Sequence, residues 1–199
     1  MGFSTLIDII GSSIIGGMLL LMLININDTA TEQSYVYAGE LTVQEALVEV
    51  VTLIEHDFRK IGYCDDWTKI PDPAKSILTA DSTSISFLTD LNDNGVVDTL
   101  RYSLSDTSAL THTPNPRDRY LFRVANSDSA IGVNLGITQF DLEYYDALGN
   151  VIPFPVAQPS EIFTMRISVT VENIAAYDEN YSNAFWRQIR LAARNLRNR

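Results

Sequence analysis

The chain has 199 residues, is 46% hydrophobic and 20% charged, and carries a formal net charge of -11. This composition is ordinary for one globular domain with an appended segment, and its negative charge argues against a nucleic-acid partner, because phosphate binding requires clustered lysine and arginine. Cys64 is the single cysteine and so excludes an intramolecular disulfide, and two histidines are scarce material for a catalytic metal site.

The first segment, residues 6–26, is almost wholly apolar, and about 20 such residues span the hydrocarbon core of a bilayer. A secretory signal would have a basic start and a shorter apolar run, so we expect a retained membrane anchor; the alternative is a buried helix of a soluble protein. Asp8 lies inside this run, where a charged carboxylate costs ~2.5–3.5 kcal/mol. We expect it to be neutralised by a partner, or else protonated.

Small residues recur in the same segment. Ser12 precedes Gly16 by four positions and Ser13 precedes Gly17 likewise, with Gly11 one position earlier. This spacing lets helices approach closely in lipid. We therefore expect a helix–helix packing surface here.

A second helical pattern follows the polar residues that close the apolar run. Steps of three and four trace one apolar face, and Gly62 is suited to a left-handed C-terminal cap. We predict a long N-terminal helical region, 1–62, with an apolar part (6–26) and an amphipathic stem (29–62), with an interruption near Asn27 or Gly39 left open. The apolar face of the stem comprises Val43, Leu47, Val50, Ile54, Phe58 and Ile61.

Beyond Cys64 the pattern changes to alternation, which is typical of half-buried strands. The prolines fall between the alternating stretches, where they remove no ladder hydrogen bonds. We predict an α+β fold in which the helix packs on a mostly antiparallel β-sheet domain, 63–199. By periodicity alone the last segment, 182–199, suits either a strand or a helix. The predicted alternating sets are Ile85 and Phe87; Leu100, Tyr102 and Leu104; Tyr120, Phe122 and Val124; Val133, Leu135 and Ile137; Phe140, Leu142 and Tyr144; and Phe163 to Val171.

Residues 89–102, TDLNDNGVVDTLRY, resemble a calcium loop. Oxygen ligands at alternate positions around a glycine are typical of such loops, although Arg101 stands where the closing acid belongs. The alternative is a tight hairpin at Asn94-Gly95. The candidate calcium ligands are Asp90, Asn92, Asn94, Val96 through its carbonyl, and Asp98.

Charge is distributed unevenly along the chain. No lysine or arginine precedes Arg59, whereas no acid follows Glu179. The two ends therefore predict electrostatic contacts within or between molecules, and exposed pairs of this kind contribute ~0–1 kcal/mol each, so they would set register more than stability. The candidates are Glu45 and Glu49 with Arg187, Arg190 and Arg194.

Three motifs together resemble the type IV pilin-like family, which includes minor pilins and the pseudopilins of type II secretion. GFSTLID is similar to the family's processing and assembly motif, with Gly2 at the cleavage position, Phe3 as first mature residue and Asp8 in place of a glutamate, at a spacing longer by one residue. LIEHDFRKIGYC, residues 53–64, is similar to the end of the family's helical stem. ARNL, residues 193–196, is similar to the end of its last strand, and this favours a strand in the C-terminal segment.

The resemblance implies a non-enzymatic subunit of a bacterial extracellular filament. Its partners would be copies of itself or other pilin-like subunits and an inner-membrane assembly platform, and it would reside in the inner membrane before assembly and on the cell surface afterwards. Asp8 would pair with the N-terminal amine of a neighbouring subunit. The alternative is a monomeric, membrane-anchored surface protein that binds a ligand, with calcium as the one cofactor considered. An enzyme has the least support, because nucleophile-elbow, zinc-protease and phosphate-loop motifs are missing from the sequence.

Overall fold

The computed structural model describes residues 2–133, 135–173 and 183–191. In these ranges one long helix is followed by eight strands, all paired antiparallel, which confirms the predicted α+β class. The first five strands form one sheet in chain order and the last three form a second sheet. The elements are α1 (Gly2–Arg59), β1 (Ile77–Ala80), β2 (Ser84–Thr89), β3 (Asp98–Leu104), β4 (Leu121–Ala125), β5 (Ile131–Val133), β6 (Ile137–Tyr145), β7 (Thr164–Glu172) and β8 (Asn183–Leu191).

Helix α1 is continuous, so neither Asn27 nor Gly39 interrupts it. The chain nevertheless divides into two compact units, Met1–Gly39 and Glu40–Arg199. In the first unit the large apolar side chains between Phe3 and Ile26 are 47% to 81% exposed. That part of the helix consequently gains no stability from burial within its own chain.

The stem part of α1 buries the face that its periodicity predicts. Val43, Val50, Ile54, Phe58 and Ile61 are at most 5% exposed, and Leu47 packs against them. Because these residues recur every three or four positions, they lie on one side of the helix. The stem is therefore one layer of the core of the second unit.

Aromatic side chains connect the stem to both sheets. The Phe58 ring lies 5.5 Å from that of Phe87 on β2 and 5.4 Å from that of Tyr102 on β3. Tyr102 in turn lies 6.3 Å from Phe140 on β6. One hydrophobic core thus includes the stem, the five-stranded sheet and the three-stranded sheet.

Helix α1 ends at Arg59, and the turn after it closes at Gly62, the glycine predicted to cap the stem. This residue has a φ of +72°, its N–H donates to the Leu88 carbonyl at 2.9 Å, and a Cβ there would lie 3.0 Å from the Ser76 hydroxyl. The positive φ and the close contact that a Cβ would make both require glycine at this position. The turn after the helix is thereby joined to β2.

The strands differ from the prediction in three respects. β1 was not predicted, the sheet is divided into two, and Val133, Leu135 and Ile137 do not share a strand. The chain turns at Gly136, which has a φ of +73° and where a Cβ would lie 2.2 Å from the Glu172 carbonyl oxygen. This close backbone approach ends one strand, and Ile137 begins the next.

The C-terminal segment contains a strand, β8, over the residues that the structure describes. Trp186 pairs with Val169 and Phe185 with Thr170 on β7. Periodicity left helix and strand open here, and cross-strand pairing with β7 decides for a strand. Residues 192–199, with the ARNL motif, lie outside the described ranges.

A buried carboxylate on the stem is bonded to two neighbouring strands. Asp57 is 1% exposed and accepts hydrogen bonds from the Tyr102 hydroxyl at 2.5 Å and the Arg123 Nε at 2.7 Å. Tyr102 on β3 and Arg123 on β4 are directly opposite each other in the sheet. Burial and then the Asp57 charge raise the pKa of Tyr102 well above its usual range, so the phenol stays a donor.

We expect Asp57→Ala to destabilise the chain by about 3 kcal/mol, because it leaves the Arg123 and Tyr102 donors without their acceptor. The measurement is urea denaturation of the full chain in detergent, at an unchanged m-value. Glu55→Ala is the matched control, since Glu55 pairs with Arg59 at 3.4 Å on the exposed side of the same helix turn and should cost less than about 0.5 kcal/mol. Equal midpoints for the two variants would contradict the role of Asp57.

A second buried acid lies in the connection between β3 and β4. Asp118 is fully buried, and neither of its carboxylate oxygens has a donor in good hydrogen-bond geometry among the described residues. Burial raises the pKa of Asp118, and together with the negative charge of Glu172 it outweighs the lowering by the Thr113 hydroxyl and the Arg117 charge. Its ionised form is therefore disfavoured in the folded state.

When the pKa of a carboxyl group is higher in the folded state than in the unfolded state, the protein loses stability as the pH rises from the unfolded-state pKa through the folded-state pKa. Asp118→Asn should therefore raise the melting temperature at neutral pH, by roughly 1–3 °C, with the gain vanishing as pH falls toward the ordinary pKa of the acid. Asp106→Asn is the control of opposite sign, because the Ser108 N–H lowers the pKa of Asp106. Melting curves from acid to neutral pH test both, and a pH-independent Asp118→Asn effect would refute the argument.

Candidate functional site

Asp8 occupies an exposed position in the apolar part of α1. Its neighbours Ile7 and Ile9 are 56% and 66% exposed. Within the described ranges the Asp8 carboxylate has no hydrogen bond or ion pair, and the first lysine or arginine of the sequence is Arg59. In an apolar environment the carboxylate therefore requires a group from another molecule or a proton.

The small residues predicted to pack helices leave open space on α1. A Cβ at Gly11, Gly16 or Gly17 would meet nothing within 4 Å. Gly2 is equally open and Phe3 is 81% exposed. Ser12 and Ser13 are exposed as well, and the Ser12 hydroxyl donates to the Ile9 carbonyl at 2.9 Å, which satisfies it inside the helix. The surface is therefore free to receive a neighbouring helix.

The helix also meets the requirements for spanning a membrane. Its most apolar stretch is long enough to cross the hydrocarbon core, and none of that stretch is buried within the chain. Between its first and last turns an α-helix satisfies its backbone N–H and C=O groups internally, as lipid demands. The segment is thus suited to anchor the chain in a membrane.

The described residues do not test the predicted electrostatic contacts. Glu45 and Glu49 are exposed on the stem and make no ion pair with the residues that the structure describes. Arg187 and Arg190 belong to β8, but their side chains lie outside what is described, as does all of Arg194. Contact between the two groups stays a prediction.

The acids of the candidate calcium loop are bonded to N–H groups. The Asp90 carboxylate is fully buried and accepts from the backbone N–H groups of Gly95 at 2.8 Å, Asn94 at 3.1 Å and Asp65 at 3.2 Å. Burial alone would raise the pKa of Asp90, but these hydrogen bonds outweigh it and the pKa is lowered. The carboxylate is therefore stabilised as an anion by the chain's own backbone.

The remaining oxygens of the loop follow the same arrangement. Asp98 accepts from the Leu91 N–H at 3.1 Å and from the Asn126 amide at 2.8 Å, and the Asn94 side chain accepts from the Val96 N–H at 2.8 Å. Asn92 and Val96 are exposed. No cluster of three or more potential His, Cys, Asp or Glu ligands occurs in the described ranges. Residues 90–97 form the loop that joins β2 to β3, so the alternative of a tight hairpin at Asn94-Gly95 is wrong. Calcium binding stays a prediction.

Sequence reasoning missed the residues that hold the stem to the sheets. Asp57 lies on the same helix face as Val50, Ile54 and Ile61, and an acid on an apolar face is the signal that could have identified it. Its partner Arg123 lies 66 residues further along the chain, and no short motif connects the two. Lys60, at the end of the stem, is the other omission: its ammonium contacts the 90–98 loop.

No family model, no curated protein and no solved structure matches the chain significantly. What the structure shows is therefore an architecture: one long helix, apolar in its first part, whose stem packs on antiparallel sheets. This architecture is pilin-like.

Proposed function

We propose that the chain is a structural subunit of a type IV pilus-like or pseudopilus filament that polymerises through the apolar part of α1. The observation that carries the proposal is Asp8, whose carboxylate has no partner among the described residues and lies in the exposed apolar part of α1. In this role the β domain faces outward, and the chain has no catalytic task. Before assembly it resides in the inner membrane, where it meets the assembly platform, and afterwards it is part of an extracellular filament.

The exposed apolar surface supports association with a large apolar partner. For an isolated chain in water, the large apolar side chains between Phe3 and Ile26 would be 47% to 81% exposed to solvent. Burying one Leu or Ile side chain fully is favourable by about 1.5–3 kcal/mol. Lipid satisfies this surface before assembly, and the apolar helices of neighbouring subunits satisfy it in a filament. Both states remove the same surface from water, so the exchange between them is not opposed by hydrophobicity.

Asp8 supplies the preference for the assembled state. A lone carboxylate in lipid is costly, whereas in a helix bundle a cationic group of a neighbour can neutralise it. Such a pair operates over a few ångströms only, and it therefore also fixes the axial position of one helix against the next. The open surface at Gly11, Gly16 and Gly17 allows the close approach of helices that this requires.

We expect Asp8→Ala to abolish filament assembly while the domain stays folded. Loss of a buried charge pair costs about 3–5 kcal/mol per contact, which corresponds to a fall of at least ~100-fold in assembly affinity. The measurement is the filament yield in the fraction sheared from producing cells, by electron cryo-microscopy, with circular dichroism of the purified chain as the folding check.

Asp28→Ala is the matched control, because Asp28 is an acid on the same helix just beyond the apolar run. It should assemble normally, and Asp8→Glu should restore assembly at least in part. If Asp8→Ala assembles as well as the Asp28 variant, pairing at Asp8 is not the determinant. If the unaltered chain stays in the membrane as a monomer, it is instead an anchored surface protein.

A further inference from the structure

The end of the stem and the 90–98 loop meet at a lysine. The Lys60 ammonium lies 2.9 Å from an Asp93 carboxylate oxygen, 3.3 Å from the Leu91 carbonyl oxygen and 3.4 Å from the Asp90 carbonyl oxygen. Its side chain is 19% exposed, and the ammonium lies 5.6 Å from the centre of the Tyr63 ring. Two carbonyls, a carboxylate and an aromatic face thus surround one positive charge.

We propose that the Lys60 ammonium is the internal cation of the 90–98 loop, and that it closes the loop onto the end of the stem in place of a bound metal ion. Carbonyl and carboxylate oxygens converging from one turn are the ligands that a hard cation such as calcium prefers. In this loop the oxygens accept hydrogen bonds from N–H groups of the chain itself, including the Lys60 ammonium. The inference concerns the domain alone and does not depend on filament assembly.

The state of the other loop oxygens supports this assignment. Both carboxylate oxygens of Asp90 and both of Asp98 already accept hydrogen bonds from the chain. A metal ion at the loop centre would compete with these donors for the carboxylate lone pairs, and an N–H group that lost its acceptor would be left unsatisfied. Lys60 instead uses oxygens on the stem side of the loop, which those donors leave free.

Lys60 is also positioned by the backbone on both sides of the junction. Its carbonyl accepts from the Thr89 hydroxyl at 2.9 Å, and the Asp90 N–H donates to the Tyr63 carbonyl at 2.8 Å. Because Lys60 directly follows α1, its charge lies at the helix C-terminus, where the helix dipole favours a cation. The ammonium is therefore held where both the helix end and the loop are negative.

The test uses the full chain in detergent with Lys60→Met, which keeps an unbranched side chain, shorter by one atom, and removes its charge. We expect the melting temperature to fall by roughly 2–4 °C, and hydrogen exchange to accelerate at the Asn94 and Gly95 amides. Lys75→Met is the matched control, because Lys75 pairs with Asp72 at 3.1 Å while 76% exposed, and it should change melting by less than about 1 °C. Lys60→Arg should retain most of the stability.

Calcium provides the second arm of the test. The melting temperature of the unaltered chain should be the same in millimolar calcium and in chelator, and Asn92→Ala, which removes an exposed candidate ligand, should change nothing. The proposal is overturned if Lys60→Met melts and exchanges like Lys75→Met. It is equally overturned if calcium stabilises the unaltered chain and Asn92→Ala weakens that stabilisation.

Discussion

The fold of the second unit depends on burying one carboxylate, that of Asp57, between the stem and the five-stranded sheet. An isolated charge in that position would be strongly unfavourable. It is tolerated because Arg123 and Tyr102, opposite each other on adjacent strands, both donate to the same oxygen. Hydrophobic contacts such as Phe58 against Phe87 are not directional, whereas these two hydrogen bonds permit one rotation of the helix about its axis. The apolar periodicity selects the face of the stem that meets the sheets, and these two hydrogen bonds set its rotation more narrowly.

That rotation determines what the stem exposes. With Val43, Val50 and Ile54 turned inward, Glu45 and Glu49 face solvent, together with the 61% exposed Leu41 and the 64% exposed Val48. The same continuous helix carries Asp8 and the apolar run. In the second unit the helix packs on the sheets and faces water, whereas its exposed apolar run in the first unit is suited to an apolar medium. The proposed assembly role requires both properties, because a subunit needs a folded domain that is independent of the surface through which it polymerises.

Much of this architecture was predictable because it follows from local periodicity. The stem face and most strands are encoded by residues two to four positions apart, and Gly62 is a local signal for the turn after the helix. What could not be predicted depends on distant contacts. Gly136 ends a strand because the Glu172 carbonyl approaches it, and the Asp57 pair joins residues 66 positions apart. The candidate assembly site was visible in the sequence, since an acid in an apolar run is conspicuous, but its partner is not part of the described chain. The sequence also identified Asp90 and Asp98 as candidate ligands, but it did not identify the N–H groups that donate to them.

The loop and the stem illustrate how one chemical requirement can be met in two ways. The acids at Asp90 and Asp98 need positive charge or donors around them, and a motif alone does not distinguish a metal ion from backbone N–H groups. The structure supplies donors from within the turn and an ammonium from Lys60, three residues after the buried Asp57. Consequently the last turn of the stem is attached twice, through Asp57 to β3 and β4 and through Lys60 to the loop between β2 and β3. Asp57→Ala and Lys60→Met each remove one attachment and leave the other in place. Their effects on the free energy of unfolding should therefore add, provided that the helix end stays rigid in each variant.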